Sequence, residues 1–155
     1  MTLEMDLYIR LKRHLKLTGW QVLGGQPPSG SDHLPVIEIK LDYGAIKGSK
    51  DALKPDLVAL KDNTVMIFEI KPAFSEADYL KLLGVKSSLT RIESFWKELQ
   101  ERNIKDSNGQ PILERAETLE LECALAYFYP GTAADRVWTF LCTESGFKEL
   151  PPSRV

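Results

Sequence analysis

The sequence predicts an α/β (α+β) domain in which a mixed β-sheet is flanked by helices. Three observations predict this class: an amphipathic N-terminal helix, two strand-like runs joined by a short turn, and later strand-like runs that follow helical stretches. A hairpin supplies antiparallel neighbours, and a helix-linked strand supplies a parallel one. With 155 residues, 43% hydrophobic and 27% charged, the composition suits a single globular domain over residues 1–150 and a loose tail over 151–155.

Several classes of protein are excluded by composition and patterning. No apolar run approaches the about 18 residues that a membrane span needs. The first residues carry acids where a secretory signal is basic and then apolar, which predicts a cytoplasmic protein. Cys123 and Cys142 lie in apolar strand-like runs, so we expect buried, reduced thiols rather than a disulfide or a metal pair.

The N-terminal region begins with apolar residues at helical spacing. They predict a helix over residues 2–17, with Thr2 as its N-cap and Gly19 as its end. The apolar positions are Leu3, Leu7, Tyr8, Leu11 and Leu15. A short apolar run over residues 20–23 follows, and then a Gly/Pro/Ser-rich loop over 24–32. The alternating run over 35–41 predicts a strand, and residues 44–54 form a Lys/Gly-rich connection.

The centre of the chain predicts a β-hairpin. Strand-like runs over 54–60 and 64–71 flank Asp62-Asn63, a short turn signal, and Pro72 ends the second run. That second run is apolar on both faces, which predicts a central strand. Val65 and Ile67 lie on one face of this strand, and Met66, Phe68 and Ile70 lie on the other.

Two helices and two strands are predicted after the hairpin. A helix over 75–83 begins at a weak capping box, Ser75-x-x-Asp78. A second helix over 88–103 presents an apolar face, and a loop over 106–111 follows it. That face comprises Leu89, Ile92, Phe95, Trp96 and Leu99. The two final strands are predicted over 119–129 and 136–143.

The hairpin register brings charged residues together. If the turn is centred on Asp62-Asn63, Asp56 faces Glu69 across the strands, with Cβ atoms about 4.5–5.5 Å apart. Lys71, two residues further on, lies on the same face, although a bulge would shift the register by one. Opposed carboxylates destabilise a sheet unless something neutralises them, and a hard divalent cation such as Mg²⁺ is the obvious compensator.

The pattern of these charges is short, so its context decides its meaning. A chain of this composition contains about one chance match, and a rival, Glu38-Ile39-Lys40, is present. Asp56 is favoured because a proline precedes it, a hairpin in matching register follows it and the partner strand is apolar. The competing interpretation is a solvated hairpin end with a Lys–Glu ion pair.

Pro55-Asp56, twelve residues and then Glu69-Ile70-Lys71 resemble the motif of the PD-(D/E)XK nuclease superfamily. The resemblance covers about residues 2 to 129 and implies a restriction endonuclease-like core of the order helix-strand-strand-strand-helix-strand. It implies that Asp56, Glu69 and Ile70 form the site for Mg²⁺ (or Mn²⁺) and that Lys71 acts on the attacking water. Many members also use an acid in the first helix, where Glu4 matches; its alternative role is to stabilise the helix N-terminus.

The sequence departs from the family in the helix after the lysine strand. Several members carry a glutamine or a basic residue there, but residues 75–88 contain no glutamine. Lys81 and Lys86 are the available substitutes, so the phosphate-contacting role stays unassigned. Glu38 is either an extra ligand or, as we favour, the outward face of an edge strand.

Two other basic groups have open interpretations. The lysines near the hairpin form either a basic rim over the site or ordinary solubilising charges; they are Lys40, Lys47, Lys50 and Lys54. His14 lies among basic residues, which favours the polar face of the first helix over a catalytic role.

The predicted function is a Mg²⁺-dependent endonuclease that acts on nucleic acid, with DNA as the expected substrate. The alternatives are a non-catalytic member of the same fold that binds nucleic acid or protein, and an unrelated domain with a structural salt bridge. Chains of this size usually grip a duplex as a homodimer or with partner subunits. The net charge of -2 comes from the C-terminal third, since residues 111–155 contain 4 basic and 7 acidic residues. We therefore expect the binding of nucleic acid to be weak and metal-dependent.

Overall fold

The computed structural model describes residues 2–28, 33–40, 53–112 and 118–153. They form an α+β fold, a six-stranded mixed sheet flanked by helices. In chain order the elements are α1 (Leu3–Leu17), β1 (Gln21–Gly24), β2 (Leu57–Lys61), β3 (Thr64–Ile70), α2 (Glu76–Lys86), α3 (Leu89–Glu101), β4 (Glu120–Phe128), β5 (Trp138–Thr143) and β6 (Gly146–Leu150). Within these ranges no helix is long and apolar enough to cross a membrane.

The six strands lie side by side in the order in which they occur in the chain. β1, β2 and β3 are antiparallel neighbours, β3, β4 and β5 are parallel, and β6 returns antiparallel to β5. The helices α2 and α3 form the crossover that two parallel neighbours require. β3 therefore lies inside the sheet, as its apolar sequence predicts, and its carboxyl end shares an edge with those of β4 and β5.

The helix α1 covers one face of the sheet. Its first turn is capped by Thr2, whose hydroxyl accepts a hydrogen bond from the Met5 N–H at 3.1 Å. The predicted apolar stripe is buried, apart from Leu3 at the exposed start of the helix. It packs against Phe68 and Phe140, whose rings meet edge to face at 4.9 Å. The helix predicted over residues 2–17 is thus confirmed.

The helices α2 and α3 cover the opposite face. Ser75 and Ser88 cap them by accepting hydrogen bonds from backbone N–H groups three residues ahead, each at 3.2 Å. The alternation predicted for β3 is confirmed, because Val65 and Ile67 belong to the core under α2 and α3, whereas its other apolar residues pack under α1. α2 continues three residues beyond the predicted end at Leu83.

The hairpin register matches its prediction. Lys61 pairs with Thr64 around the two-residue turn, and Leu57 pairs with Phe68 at the other end of β2. Asp62 takes a φ of 53°, a left-handed value that aspartate tolerates in a turn. The strand predicted over residues 64–71 is therefore observed over Thr64–Ile70, and its pairing with β2 has the predicted register as far as Leu57.

The strand predicted over residues 35–41 is wrong for the residues described. Residues 35–40 form only one isolated bridge, Ile39 to Leu53, and the first strand of the sheet is the four-residue β1 instead. The alternation that suggested a strand has another cause, since Ile37 and Ile39 pack into the core under α2 and α3. Leu41, Lys47, Lys50, most of the 44–54 connection and the end of the tail lie outside the described residues.

Two further differences concern residues with weak patterns. β6 was not predicted because most of its residues are exposed and no apolar alternation marks it; it forms as the second arm of a hairpin with β5. Leu89, predicted on the apolar face of α3, is 77% exposed because it lies in the first turn, beyond the sheet contact.

A glycine supports the chain segment that carries Asp56. Gly25 has a φ of +153°, and a Cβ built on it would lie 2.3 Å from the carbonyl oxygen of Asp56. The neighbouring Gln26 N–H donates to that same oxygen at 3.1 Å, so the two segments are held in close contact. We conclude that this position requires glycine for space as well as for its backbone angle.

We predict that Gly25→Ala destabilises the protein more than Gly146→Ala, by about 1–3 kcal/mol, because only the first substitution adds a collision to the backbone strain. Gly146 is the matched control, since its φ of +129° is also unfavourable but a Cβ there meets nothing within 4 Å. Urea denaturation of both variants measures the difference. Equal losses of unfolding free energy in the two variants would show that the backbone around Asp56 shifts at no cost to make room for the added Cβ.

Candidate functional site

Asp56 is held at the end of the hairpin by three backbone contacts. It directly precedes β2, its N–H donates to the Phe68 carbonyl at 3.1 Å, and its own carbonyl accepts from Gln26. Its carboxylate Oδ2 accepts a hydrogen bond from the Ile70 N–H at 2.7 Å. Asp56 thus lies just beyond Leu57 and Phe68, the last paired residues of the hairpin, and these contacts hold its side chain within hydrogen-bonding distance of Glu69.

Glu69 completes the pair from the central strand. It is only 6% exposed, and its carboxyl group is hydrogen-bonded to that of Asp56. Burial raises the pKa of Glu69 to about 10, and the charge and hydrogen bond of Asp56 add to the effect. Burial also raises the pKa of Asp56, although its hydrogen bonds with Glu69 and Ile70 act in the opposite direction. At neutral pH Glu69 therefore carries a proton, which it shares with Asp56 through their hydrogen bond.

Lys71 and Glu4 meet beside this pair. Lys71 directly follows β3, and its Nζ lies 3.4 Å from a carboxylate oxygen of Glu4. The Glu4 charge is the main cause that raises the pKa of Lys71, so the lysine stays protonated at neutral pH. Because α1 packs on the opposite face of the sheet from α2, the site lies at the end of the sheet where both faces are accessible.

Asp78 is a site residue that was not predicted. It is 4% exposed, and its charge contributes to the raised pKa values of both Asp56 and Glu69. Its backbone N–H makes the capping hydrogen bond with Ser75, so the capping motif explains the backbone but not the buried side chain. The available signal was helical spacing, since Asp78 lies on the same face of α2 as the buried Leu82 and Val85.

These acids line one cavity of about 580 Å³, with basic groups around them. The acidic members are Glu4, Asp56, Glu69 and Asp78. The basic members are Lys54, Lys71, Lys81 and Arg91. The structure therefore brings all of the predicted site residues, including the backbone of Ile70, to one place. A cavity lined by both acidic and basic side chains suits a ligand that combines a cation with an anion.

Of the other basic residues considered in the sequence, some line the cavity and some lie elsewhere. Lys86 forms an ion pair with Glu122 at 3.0 Å and does not line the cavity, so of the two substitutes only Lys81 is placed there. Among the lysines near the hairpin that the structure describes, Lys54 lines the cavity. His14 does not line the cavity; it contacts Glu149 of β6 at 2.9 Å, and its ring lies 5.0 Å from that of Phe147.

The prediction for Glu38 is wrong. It was expected on the outward face of an edge strand, but it is 4% exposed and does not lie in a named strand. Its backbone N–H donates to Glu98 at 3.3 Å, and its carboxylate lies 3.6 Å from Lys54. Docking of residues 35–40 on α3 buries Glu38, a tertiary contact that alternation alone does not reveal.

Both thiols are buried, as predicted. Cys123 and Cys142 are free and lie on opposite faces of the sheet. Burial raises the pKa of Cys123 to about 12, so this thiol is protonated and unreactive at neutral pH.

The donor set of the cavity fits a hard divalent cation. The oxygens available along its lining belong to carboxylates and to the backbone of Ile70, and Mg²⁺ and Mn²⁺ prefer oxygen over softer ligands. One oxygen of Asp78 is buried without a hydrogen-bond partner in the described structure. Among the same residues, no group of three or more His, Cys, Asp or Glu side chains is arranged so that it could hold a metal ion. A cation that bound between Asp56 and Glu69 would have to displace the proton of Glu69.

No known protein family, curated protein or solved structure matches this chain.

We predict that the metal-free protein loses stability as the pH rises, and that Glu69→Gln reduces this loss. Glu69 stays protonated in the folded chain up to about pH 10 but ionises near its ordinary pKa when unfolded. Between these values the unfolded chain binds fewer protons, which lowers the free energy of unfolding by at most about 1.4 kcal/mol per pH unit for one proton.

Melting temperatures in EDTA at about pH 5.5 and about pH 8.5 test this prediction. The matched control is Glu101→Gln, which removes an exposed carboxylate near the end of α3. Wild type and control should show the same decline, and Glu69→Gln a smaller one. A decline that is identical in all three proteins contradicts the assignment of the raised pKa to Glu69.

Proposed function

We propose that the protein is a Mg²⁺-dependent nuclease of the PD-(D/E)XK type, with a restriction endonuclease-like fold, that hydrolyses phosphodiester bonds in DNA. The observation that carries the proposal is the apposition of Asp56 and Glu69, with Lys71 at the end of the same strand. A buried pair of carboxylates sharing one proton is destabilising in a structural role, because burial and mutual repulsion both oppose its ionisation. A cation-binding role accounts for this arrangement.

Each residue of the cavity would have a separate role in the hydrolysis. Asp56 and Glu69, with the carbonyl of Ile70, would hold the cation, which when bound polarises the phosphodiester and makes water easier to deprotonate. Lys71, held in its protonated form by Glu4, cannot accept a proton. It would orient the attacking water through an N–H···O hydrogen bond and stabilise the negative charge that develops on phosphorus oxygens. The new P–O bond would form from water, whose proton would pass to the solvent, and the bond to the ester oxygen would break, with that oxygen taking a proton from the solvent.

The basic surround of the cavity would contact the phosphates that flank the reacting one. Lys54 and Lys81 are 40% and 57% exposed, so both can reach a strand laid across the cavity. The net charge of -2 leaves no broad basic surface, so binding would be weak and metal-dependent unless a second copy or a partner subunit adds contacts. A cytoplasmic location would keep the two thiols reduced.

We predict that the purified protein cuts plasmid DNA or oligonucleotides with Mg²⁺ or Mn²⁺, and that Asp56→Ala and Lys71→Ala each abolish cutting. Each substitution removes a proposed catalytic group, and such groups commonly contribute 10²-fold or more, on the order of 3 kcal/mol. The controls Asp62→Asn, in the hairpin turn, and Lys97→Ala, exposed on α3, should cut at the wild-type rate. Unchanged cleavage by both Asp56→Ala and Lys71→Ala would refute the proposal.

The non-catalytic alternative is separated from the nuclease by the same variants. A protein that binds Mn²⁺ through Glu69 and binds DNA, yet cuts neither DNA nor RNA, is a binding module with this fold. A Mn²⁺ titration that shows no heat dependent on Glu69 would also favour a non-catalytic protein over the nuclease.

We predict that Lys81→Ala weakens DNA binding and that Lys86→Ala does not. Lys81 lines the cavity, whereas Lys86 is paired with Glu122 outside it. Fluorescence anisotropy with a labelled oligonucleotide, in Ca²⁺ to prevent cutting, should show weaker binding for Lys81→Ala and a log–log salt slope smaller by about 1. Equal binding by both variants would remove Lys81 from the phosphate contacts.

A further inference from the structure

The position of Asp78 in the cavity is not accounted for by the hairpin site. Asp78 lies on the core-facing side of α2, next to Leu82 and Val85, where an apolar residue is the ordinary choice. Its side chain is 4% exposed, and its Oδ2 is buried with no hydrogen-bond partner among the described groups. A buried, unsatisfied carboxylate oxygen that lines a cavity indicates a ligand that would satisfy it.

The nearby lysine does not satisfy that oxygen. Lys81 Nζ lies 3.5 Å from the other oxygen, Oδ1, and the lysine side chain is 57% exposed. The contact is therefore a loose ion pair between neighbouring turns of α2, directed toward solvent. Oδ2 makes no hydrogen bond among the described groups, and the charge of Asp78 opposes the ionisation of both acids of the hairpin.

The hairpin pair offers few free ligand atoms. One oxygen of Asp56 already accepts the Ile70 N–H at 2.7 Å, which leaves one oxygen of Asp56 and those of Glu69 for a cation. Divalent cations of this class take six or more oxygen ligands, some of them from water and substrate. A carboxylate from a second element would raise the number of protein ligands and connect α2 to the hairpin.

We propose that Asp78 is the third carboxylate of the cation site, acting with Asp56 and Glu69. The inference rests on the proposed function for the presence of a cation in the cavity, and it adds a residue from α2 that the hairpin motif does not contain. In this arrangement Lys81 neutralises Asp78 while the site holds no cation, and its ammonium is released toward the substrate phosphate when the carboxylate binds metal.

The test measures Mn²⁺ binding without any cleavage assay. Isothermal titration calorimetry and thermal shift, on protein stripped with EDTA, compare wild type with Asp78→Asn, Lys81→Met and Glu76→Gln. Glu76 is the matched control, an exposed acid in the same first turn of α2. We expect Asp78→Asn to weaken Mn²⁺ binding at least about tenfold. The same variant should raise the metal-free melting temperature, because it removes a buried charge near two other acids.

The control variants distinguish a metal ligand from a structural ion pair. Glu76→Gln should bind Mn²⁺ like the wild type, and Lys81→Met should bind it as tightly or more tightly, because a competing cation is gone. If Asp78→Asn binds Mn²⁺ like the wild type, the inference is overturned while the hairpin site stands. If Asp78→Asn and Lys81→Met lower the metal-free melting temperature equally and leave Mn²⁺ binding unchanged, Asp78 has a structural role and the inference is again overturned.

Two outcomes separate this inference from the nuclease proposal. Mn²⁺ binding that depends on Asp78, in a protein that cuts no nucleic acid, supports the inference and refutes the nuclease activity. No Mn²⁺ binding by the wild type overturns both.

Discussion

Asp56 and Glu69 are held face to face because the hairpin that carries them is constrained at both ends. The two-residue turn pairs Lys61 with Thr64, and the ladder continues without a bulge to Leu57 and Phe68. Beyond that pair, the backbone and side chain of Asp56 are bonded to β3 at 3.1 and 2.7 Å. The carboxyl groups cannot separate without breaking these hydrogen bonds, so they share a proton instead, and the rest of the site surrounds this constraint.

The central position of β3 places this pair where three other elements can reach it. Glu4 comes from α1 on one face of the sheet, Asp78 from α2 on the other, and Arg91 from the start of α3. Arg91 also donates to the Ile39 carbonyl at 3.3 Å, which connects the cavity to the docked segment 35–40. The overall charge of -2 therefore says little about the site, since four acids and four basic residues line the same cavity.

The buried carboxyl groups of this site lower the stability of the folded protein. Buried carboxyl groups near one another would be replaced by apolar residues if packing alone mattered, and their retention indicates a function that needs them. The apolar core supplies the compensation: α1 and α2–α3 bury both faces of β3, so the strand stays in place despite the unfavourable charges at its end. Stability and the proposed activity are thus expected to respond in opposite directions to Glu69→Gln.

Local patterns predicted the parts of the site that depend on local geometry. The turn at Asp62-Asn63 determines the register, and the register brings Asp56 to Glu69, so one short signal was sufficient. Glu4 was predictable because helical spacing places it on the inward face of α1. Glu38 and Asp78 were not, because their burial depends on how residues 35–40 and α2 dock on other elements. β6 was missed for a related reason: its pairing with β5 comes from the backbone, and its mostly exposed side chains carry no periodic signal.

The most direct test of the central claim is a crystal structure of the protein soaked in Mn²⁺ near neutral pH, with anomalous scattering used to locate the ion. We expect an anomalous peak between the carboxylates of Asp56 and Glu69, at ligand distances of about 2.0–2.2 Å, with Asp78 Oδ2 turned toward it. A map in which Asp56 and Glu69 remain hydrogen-bonded to each other, with no anomalous peak in the cavity at millimolar Mn²⁺, would contradict it.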